Sequence, residues 1–376
     1  MTIRFLAALA TLGITAALAP SPAAALTTTP ECTGALPAAQ VAAIRRIAER
    51  ERRKQHIAGL TVGVGRNGRV LFACGYGLRD RERALPSDAA TIYPIGSITK
   101  QFTATAVMLL AADGKVNIDD RLARYLPKAP HAAELTVREL LNQTSGLPEY
   151  VAKLPLQNLR SPQFALRPEQ YAATIAHAPL AFKPGSKWQY SNTNYLLLGM
   201  LVTAVSGEPY ESFVRERILV PQQLGSTQFL KTFVAPGSDS AHGYEFAKGR
   251  FVAVPDVPMA WGNAAGALGS TVADVIRWDG AFFGDRILDA AGVRAMTTPP
   301  KMPAPSKLAM LHGYAFGWAI GVDHDRRVVW HNGGVMGARA MNATLPHNGL
   351  EVVVLTNAGT AQPEKIALAV AGVVGE

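Results

Sequence analysis

Three short strings hold residues that could do chemistry together: Ser97-Ile98-Thr99-Lys100, Tyr190-Ser191-Asn192 and His331-Asn332-Gly333-Gly334. An alcohol oxygen is a poor nucleophile until a base takes its proton. Lys100 follows Ser97 by three residues, and on a helix such neighbours share a face. Phe102, Ala106, Leu109 and Leu110 recur at helical spacing, with Asp113-Gly114 as a stop, so the spacing predicts a helix over Ser97–Ala112. Ser97 then stands at the helix N-terminus, where free N–H groups favour developing negative charge. The chemistry this pattern allows is acyl transfer through a serine ester.

Tyr190 is a second candidate base. Free tyrosine has a pKa near ~10, so about one part in a thousand is ionised at neutral pH. Lowering it by about three units requires roughly 4 kcal/mol. One ammonium about 4 Å away supplies that much at an effective dielectric of ~20. Asn192 could orient the lysine or hold a substrate amide. Gly333 and Gly334 would let backbone approach a ligand closely; an N–H there, with that of Ser97, would make a two-donor oxyanion pocket. Each string also has a plainer reading: Ser97 as a helix cap, Tyr190 as a buried tyrosine in a polar loop with Asn192 capping the next helix, and Asn332-Gly333 as a turn between strands.

These groups must be positioned by elements far apart in the chain. After an N-terminal helix, Leu60–Val64 and Arg69–Tyr76 read as a hairpin around Asn67-Gly68. The middle is helical and loop-rich, with a helix from Tyr195 to Ser206-Gly207 and a capping box at Thr271 and Asp274. Tyr314–Ile320, Arg327–Trp330, Ala338–Leu345 and Leu350–Thr356 read as strands, with turns at 323–325 and 347–349, and His331–Gly334 interrupts or ends one of them. A helix near Glu364–Val374 closes the chain. The predicted fold is α+β: one antiparallel sheet built from both ends of the chain and flanked by the terminal helices, plus a helical subdomain, with the site at their junction. The α/β part is expected at about 38–95 and 305–376 and the helical part at about 96–304, within one domain over 26–376.

The joint pattern resembles the serine β-lactamases and penicillin-binding D,D-peptidases, in the class C-like branch that includes D-alanyl-D-alanine carboxypeptidases, D-aminopeptidases and related esterases. The likeness is carried by Tyr93–Phe102, Leu140–Pro148, Tyr190–Tyr195 and Ala265–Asp274 and extends over roughly residues 40 to 370. It implies the β-lactamase/transpeptidase fold. It further implies Ser97 as the acylated nucleophile, Lys100 and Tyr190 as the managers of its proton and of the leaving group's, Asn192 as a substrate-positioning residue, and the N–H groups of Ser97 and Gly334 as the oxyanion hole. His331 takes the place of the lysine in the branch's Lys-Thr-Gly motif.

That departure removes a fixed positive charge, because histidine, with a pKa near ~6.5, is mostly neutral at neutral pH. Some carboxypeptidases and aminopeptidases of the branch also have histidine there. Arg339 could restore the charge if its strand faces the site; the ordinary reading is an outward, solvated arginine. Ala267 is a second departure, where the family often has the second glycine of a Gly-Gly pair.

The N-terminus reads as a signal peptide, residues 1–25: Arg4, an apolar run from Phe5 to Ala19, and Ala23-Ala24-Ala25 before the cut. A periplasmic or secreted location is therefore expected, with no transmembrane segment in the mature chain. Cys32 and Cys74 could pair in that compartment or remain thiols. The net charge is +9. Much of the excess lies on one predicted helix (Arg45, Arg46, Arg50, Arg52, Arg53, Lys54) whose other face carries Val41, Ile44, Ile47 and Ala48. A solvated helix covering a sheet explains this, and attraction to anionic polymer is the alternative. The chain holds no metal-ligand spacing, no dinucleotide or phosphate loop, no Gly-x-Ser-x-Gly elbow and no nucleic-acid motif, so no cofactor, metal or nucleic-acid partner is expected. The expected function is an exported serine hydrolase forming a Ser97 acyl-enzyme on amide or ester bonds, D,D-carboxypeptidase-like or weakly β-lactamase-like, acting on a small molecule or a peptide such as cell-wall peptide. A carboxylesterase and a non-turnover penicillin or cell-wall-peptide binding or sensor protein are the alternatives.

Overall fold

The computed structural model describes residues 32–159, 161–233, 239–301 and 312–375. The expected signal peptide, its cleavage point and the expected boundary at 305 lie outside the described residues. The chain opens with β1 (Cys32–Gly34), α1 (Ala38–Lys54), β2 (Gly59–Arg66), β3 (Arg69–Asp80), β4 (Leu85–Pro86) and β5 (Tyr93–Pro94). The middle contributes α2 (Thr99–Ala112), α3 (Val137–Leu141), α4 (Pro168–Ala173), α5 (Asn192–Ser206) and α6 (Tyr210–Val214). It continues with β6 (Gln228–Phe229), β7 (Tyr244–Ala247), β8 (Arg250–Ala253), α7 (Asn263–Gly266), β9 (Leu268–Ser270), α8 (Val272–Phe283) and α9 (Ala290–Thr297). The last stretch returns to strands, β10 (Gly313–Tyr314), β11 (Ala319–Asp323), β12 (Arg326–Val335), β13 (Ala338–Leu345) and β14 (Leu350–Thr356), before α10 (Pro363–Val374).

The main sheet runs β1-β3-β2-β14-β13-β12-β11-β10, with β4 on β3, and its pairs are antiparallel. β14 is central, and all seven of its residues are buried, as expected of a strand covered on both faces. Leu350, Val352 and Val354 join α1 and α10 in one apolar cluster, while Val353 and Leu355 join α2, α5 and α8 in the other. This alternation is the two-residue period of a strand expressed as two cores. The sheet is thus closed on one side by the two terminal helices and on the other by α8 and the helical middle. α1 lays Ile44 and Ala48 on the sheet, and its Arg50, Arg52 and Arg53 pair with Glu49 and Glu51, so it is the sheet-covering amphipathic helix. Cys32 and Cys74 stand opposite each other in the β1–β3 register and are joined as a disulfide.

Three local expectations need correction. Residues 331–334 neither interrupt nor end a strand: they run inside β12, paired with Asn342 to Arg339 of β13, because the cross-strand ladder outweighs the turn preference of Asn-Gly. α5 is capped by Ser191, whose hydroxyl accepts from the Thr193 N–H at 3.3 Å, and not by Asn192. Thr271 caps α8 through the Asp274 N–H, but the Asp274 carboxylate turns away to Ser226, Thr227 and Arg277, so only half of the expected box forms.

Candidate active site

β5 and a single 3-10 turn (Gly96–Ile98) deliver the chain to α2. Gly96 has φ +50°, and a Cβ on it would stand 2.6 Å from the Gly334 nitrogen. A Cβ on Gly333 would fall 1.9 Å from the Ile95 carbonyl oxygen. Glycine at both positions lets β12 lie directly against the turn that carries Ser97. β11 pairs with β12 only as far as Trp330, so residues 331–335 present an open strand edge to Ser97.

Lys100 is fully buried. Its Nζ lies 3.0 Å from Ser97 Oγ, 2.7 Å from Asn192 Oδ1 and 2.7 Å from the Ala265 carbonyl. Burial pushes Lys100 down to about 7, against the opposing pull of Glu149. A neutral amine has two hydrogens and one lone pair. Donating the hydrogens to Asn192 and Ala265 leaves the lone pair aimed at the Ser97 hydroxyl, which is the geometry of a general base.

Tyr190 packs against the same lysine, with Lys100 Nζ 4.9 Å from its ring centre. The expectation that Lys100 lowers the phenol pKa is corrected here. Burial, reinforced by Tyr314, holds Tyr190 well above its ordinary value despite a hydrogen bond with Ser97. Desolvation disfavours every charged form, so it neutralises the lysine and keeps the phenol protonated at once.

His331 is buried, its Nδ1 directed at the Asn332 carbonyl and its Nε2 3.1 Å from the Tyr314 hydroxyl. The carbonyl can only accept, so Nδ1 carries the proton and Nε2 accepts from Tyr314. Burial, followed by the charge of nearby Lys100, pushes His331 down to about 3. It is a neutral member of the site at any physiological pH. Asn332 and Gly334 are exposed and Gly333 is buried.

All eight residues expected from the sequence converge here, and Ser97, Tyr190 and the 331–334 strand line one recess of about 530 Å³. A roomier cavity of about 660 Å³ lies beside α6 and holds none of them. Arg339 is not the outward, solvated arginine of the ordinary reading: it is half-buried in the wall of the Ser97 recess.

Three residues escaped sequence reasoning. Glu149 accepts from the Asn192 N–H and side-chain amide at 2.8 and 2.9 Å and so fixes which way Asn192 presents its oxygen to Lys100. Its position directly after Leu147-Pro148 was the available signal. Gln143, with φ +63°, accepts from the Ser191 N–H and the Asn194 amide and ties the Thr144–Pro148 loop to the Tyr190 segment. Tyr314, on a two-residue strand, had no distinguishing pattern.

A family model described as Beta-lactamase matches residues 44–374. Penicillin-binding protein 4* of Bacillus subtilis (strain 168) is 26% identical over 302 residues, covering 77% of this chain and 65% of that protein. Protein flp of Staphylococcus aureus (strain MW2) is 25% identical, with 85% of this chain and 64% of that protein covered; the chain thus spans just under two thirds of the length of these relatives. Among solved structures, the octameric penicillin-binding protein homologue from Pyrococcus abyssi superposes with a TM-score of 0.79 at 29% identity, over 89% of this chain and 78% of that one. The D-stereospecific amidohydrolase from a Streptomyces species gives 0.74 at 28% identity, over 86% and 96%. With the matched region covering nearly the whole described chain, and the fold shared with these structures, the protein belongs to the beta-lactamase family, in its class C-like branch.

Proposed function

We propose that the protein is an exported serine hydrolase that cleaves amide or ester bonds through a Ser97 acyl-enzyme. The observation that carries this reading is the buried Lys100 amine, 3.0 Å from Ser97 Oγ and poised near neutral. In the first step Ser97 Oγ bonds to the substrate carbonyl carbon while its proton passes to Lys100 Nζ. The carbonyl oxygen becomes an oxyanion facing the N–H groups of Ser97 and Gly334. The carbon–leaving-group bond then breaks, and the leaving group takes a proton from the Tyr190 phenol, which Lys100 restores. Water repeats the sequence on the ester, freeing the acid and Ser97. Asn192 holds the lysine through its oxygen and Glu149 through one amide hydrogen, which leaves a single amide N–H for substrate. Export is supported by the N-terminal apolar run and by the Cys32–Cys74 disulfide.

Cleavage of a D,D-peptide-like amide, or slow opening of a penicillin, is the first specificity to test, given the relatives named penicillin-binding proteins. A second reading, hydrolysis of uncharged esters or amides, is favoured by the neutrality of His331 where the related motif has lysine.

The test is the intact mass of the mature protein and of Ser97→Ala, before and after incubation with a penicillin. A lasting adduct on wild type alone supports Ser97 as nucleophile and a penicillin-binding role. Penicillin consumed by wild type alone, without an adduct, supports rapid deacylation. Intact penicillin and no adduct shifts the reading to the ester hydrolase, checked by p-nitrophenol release from short esters. Activity that survives Ser97→Ala refutes the mechanism.

A further inference from the structure

The recess that exposes Ser97 is also lined by Arg339 and Glu245, together with Trp188, Trp330 and Met336. Arg339 Nη1 donates to the carbonyls of Val335 and Ala338 at 2.6 and 2.9 Å, which folds the guanidinium back on the β12–β13 hairpin. Glu245, on β7, meets the same hairpin: its Oε1 accepts the Gly337 N–H at 3.1 Å. A Cβ on Gly359 would lie 1.8 Å from that oxygen, so the absence of a side chain there leaves the room the carboxylate occupies. Glu245 is therefore seated by backbone on two sides. Burial, the larger influence, pushes Arg339 down, and the carboxylates of Glu245 and, more weakly, of Glu364 at the start of α10 act against it in favour of the charged guanidinium.

A cation in the wall of an acyl-transfer site ordinarily selects anionic substrates. Here the Glu245 carboxylate stands in the same wall as an opposing charge, with no direct ion pair to the guanidinium among the described residues, and His331 adds no charge. Resting on the acyl-enzyme reading above, we infer that Glu245 is a specificity-determining residue: its carboxylate cancels the field of Arg339 in the Ser97 recess, so that the site takes uncharged acyl donors and gains little from a carboxylate on the substrate. Replacing Glu245 by glutamine keeps the acceptor for Gly337 and removes only the charge, turning the same wall into an anion-selective one.

The experiment uses two serine-directed boronic acids, phenylboronic acid and 3-carboxyphenylboronic acid, whose dissociation constants are measured by calorimetry on the mature protein. In wild type the two should agree within about threefold, and their ratio should change by less than about twofold when salt is raised from about 0.05 to 0.5 M. Glu245→Gln should shift the ratio towards the carboxylated compound by about tenfold, equal to about 1.4 kcal/mol. Arg339→Gln should shift it the other way. An unmoved ratio in Glu245→Gln, or a wild type that prefers the carboxylated compound by more than about tenfold with strong salt dependence, overturns the charge inference while leaving the Ser97 chemistry standing. Failure of wild type to bind either compound would bring down the acyl-enzyme reading, and this inference with it. The wild-type ratio and its salt dependence decide the matter even if a variant does not fold.

Discussion

Replacing Glu149 by glutamine should move the pH at which the proposed Ser97 hydrolysis sets in. Lys100 lies at about 7, so about a tenth of it is neutral one unit below that value and about nine tenths one unit above. An ordinary lysine, near ~10.4, is neutral in fewer than about one molecule in a thousand at pH 7, and the difference amounts to about 5 kcal/mol taken from the ammonium by burial. Glu149 works against that loss. Its oxygen is linked to Lys100 through the Asn192 amide, by contacts of 2.9 and 2.7 Å, which sets a charge separation of roughly 7 Å. At that distance Coulomb's law gives about 0.6 kcal/mol in a water-like medium and about 2.4 kcal/mol at an effective dielectric of ~20, or about half a unit to two units of pKa. Since the carboxylate favours the ammonium, removing it lowers the Lys100 pKa, and the acid limb of kcat/KM should move to lower pH by about one unit. The assay is a pH profile of ester or penicillin turnover for wild type and Glu149→Gln, with Lys100→Arg as a variant whose guanidinium cannot act as a base and which should be inactive throughout. A limb that stays put in Glu149→Gln, or moves to higher pH, would refute the assignment of Lys100 as the titrating base.

Gly333→Ala, whose Cβ would meet the Ile95 carbonyl at 1.9 Å, should cost about 2 kcal/mol or more and slow Ser97 acylation about a hundredfold, whereas Gly334→Ala, with nothing nearer than 3.4 Å, should retain wild-type stability; equal melting curves for the two would contradict the packing argument. Asp279 is fully buried between Asn342 and Thr344 and burial raises it to about 7. The folded state therefore holds a proton that the unfolded chain, with a pKa of about 4, has already lost, so this group's contribution to stability falls as pH rises from about 4 to 7. Asp279→Asn removes that term, and the melting temperature of the variant relative to wild type should climb across the same window; a flat difference would mean the carboxyl is ionised in the fold. The Cys32–Cys74 disulfide closes a separation of 42 residues, for which chain entropy gives about 4 kcal/mol; Cys32→Ser/Cys74→Ser should lower the denaturant midpoint accordingly, and a loss under about 1 kcal/mol would show that β1 pairs without help.

Much of the framework is local, and the sequence determines it. β13 and β14 begin and end where the apolar runs and the Asn348-Gly349 turn imply, and α5 stops at the expected Gly207, which takes a left-handed conformation. The pairing of Ser97 with Lys100 is also local, because both belong to one turn of chain that opens α2. What the tertiary structure alone decided is the electrical state of these groups. Lys100 acquires its partners from residues 92 and 165 positions away, and its protonation follows from the water those partners exclude. Hence the arithmetic that had Lys100 ionise Tyr190 ran the wrong way: it counted the charge and not the desolvation, which acts on both groups. The same reason hid Glu149, Tyr314 and the inward course of Arg339. A sequence records which residues can titrate or ligate, but pKa and field depend on distance and dielectric, and those exist only once β12, α2, α5 and β7 are packed around one recess.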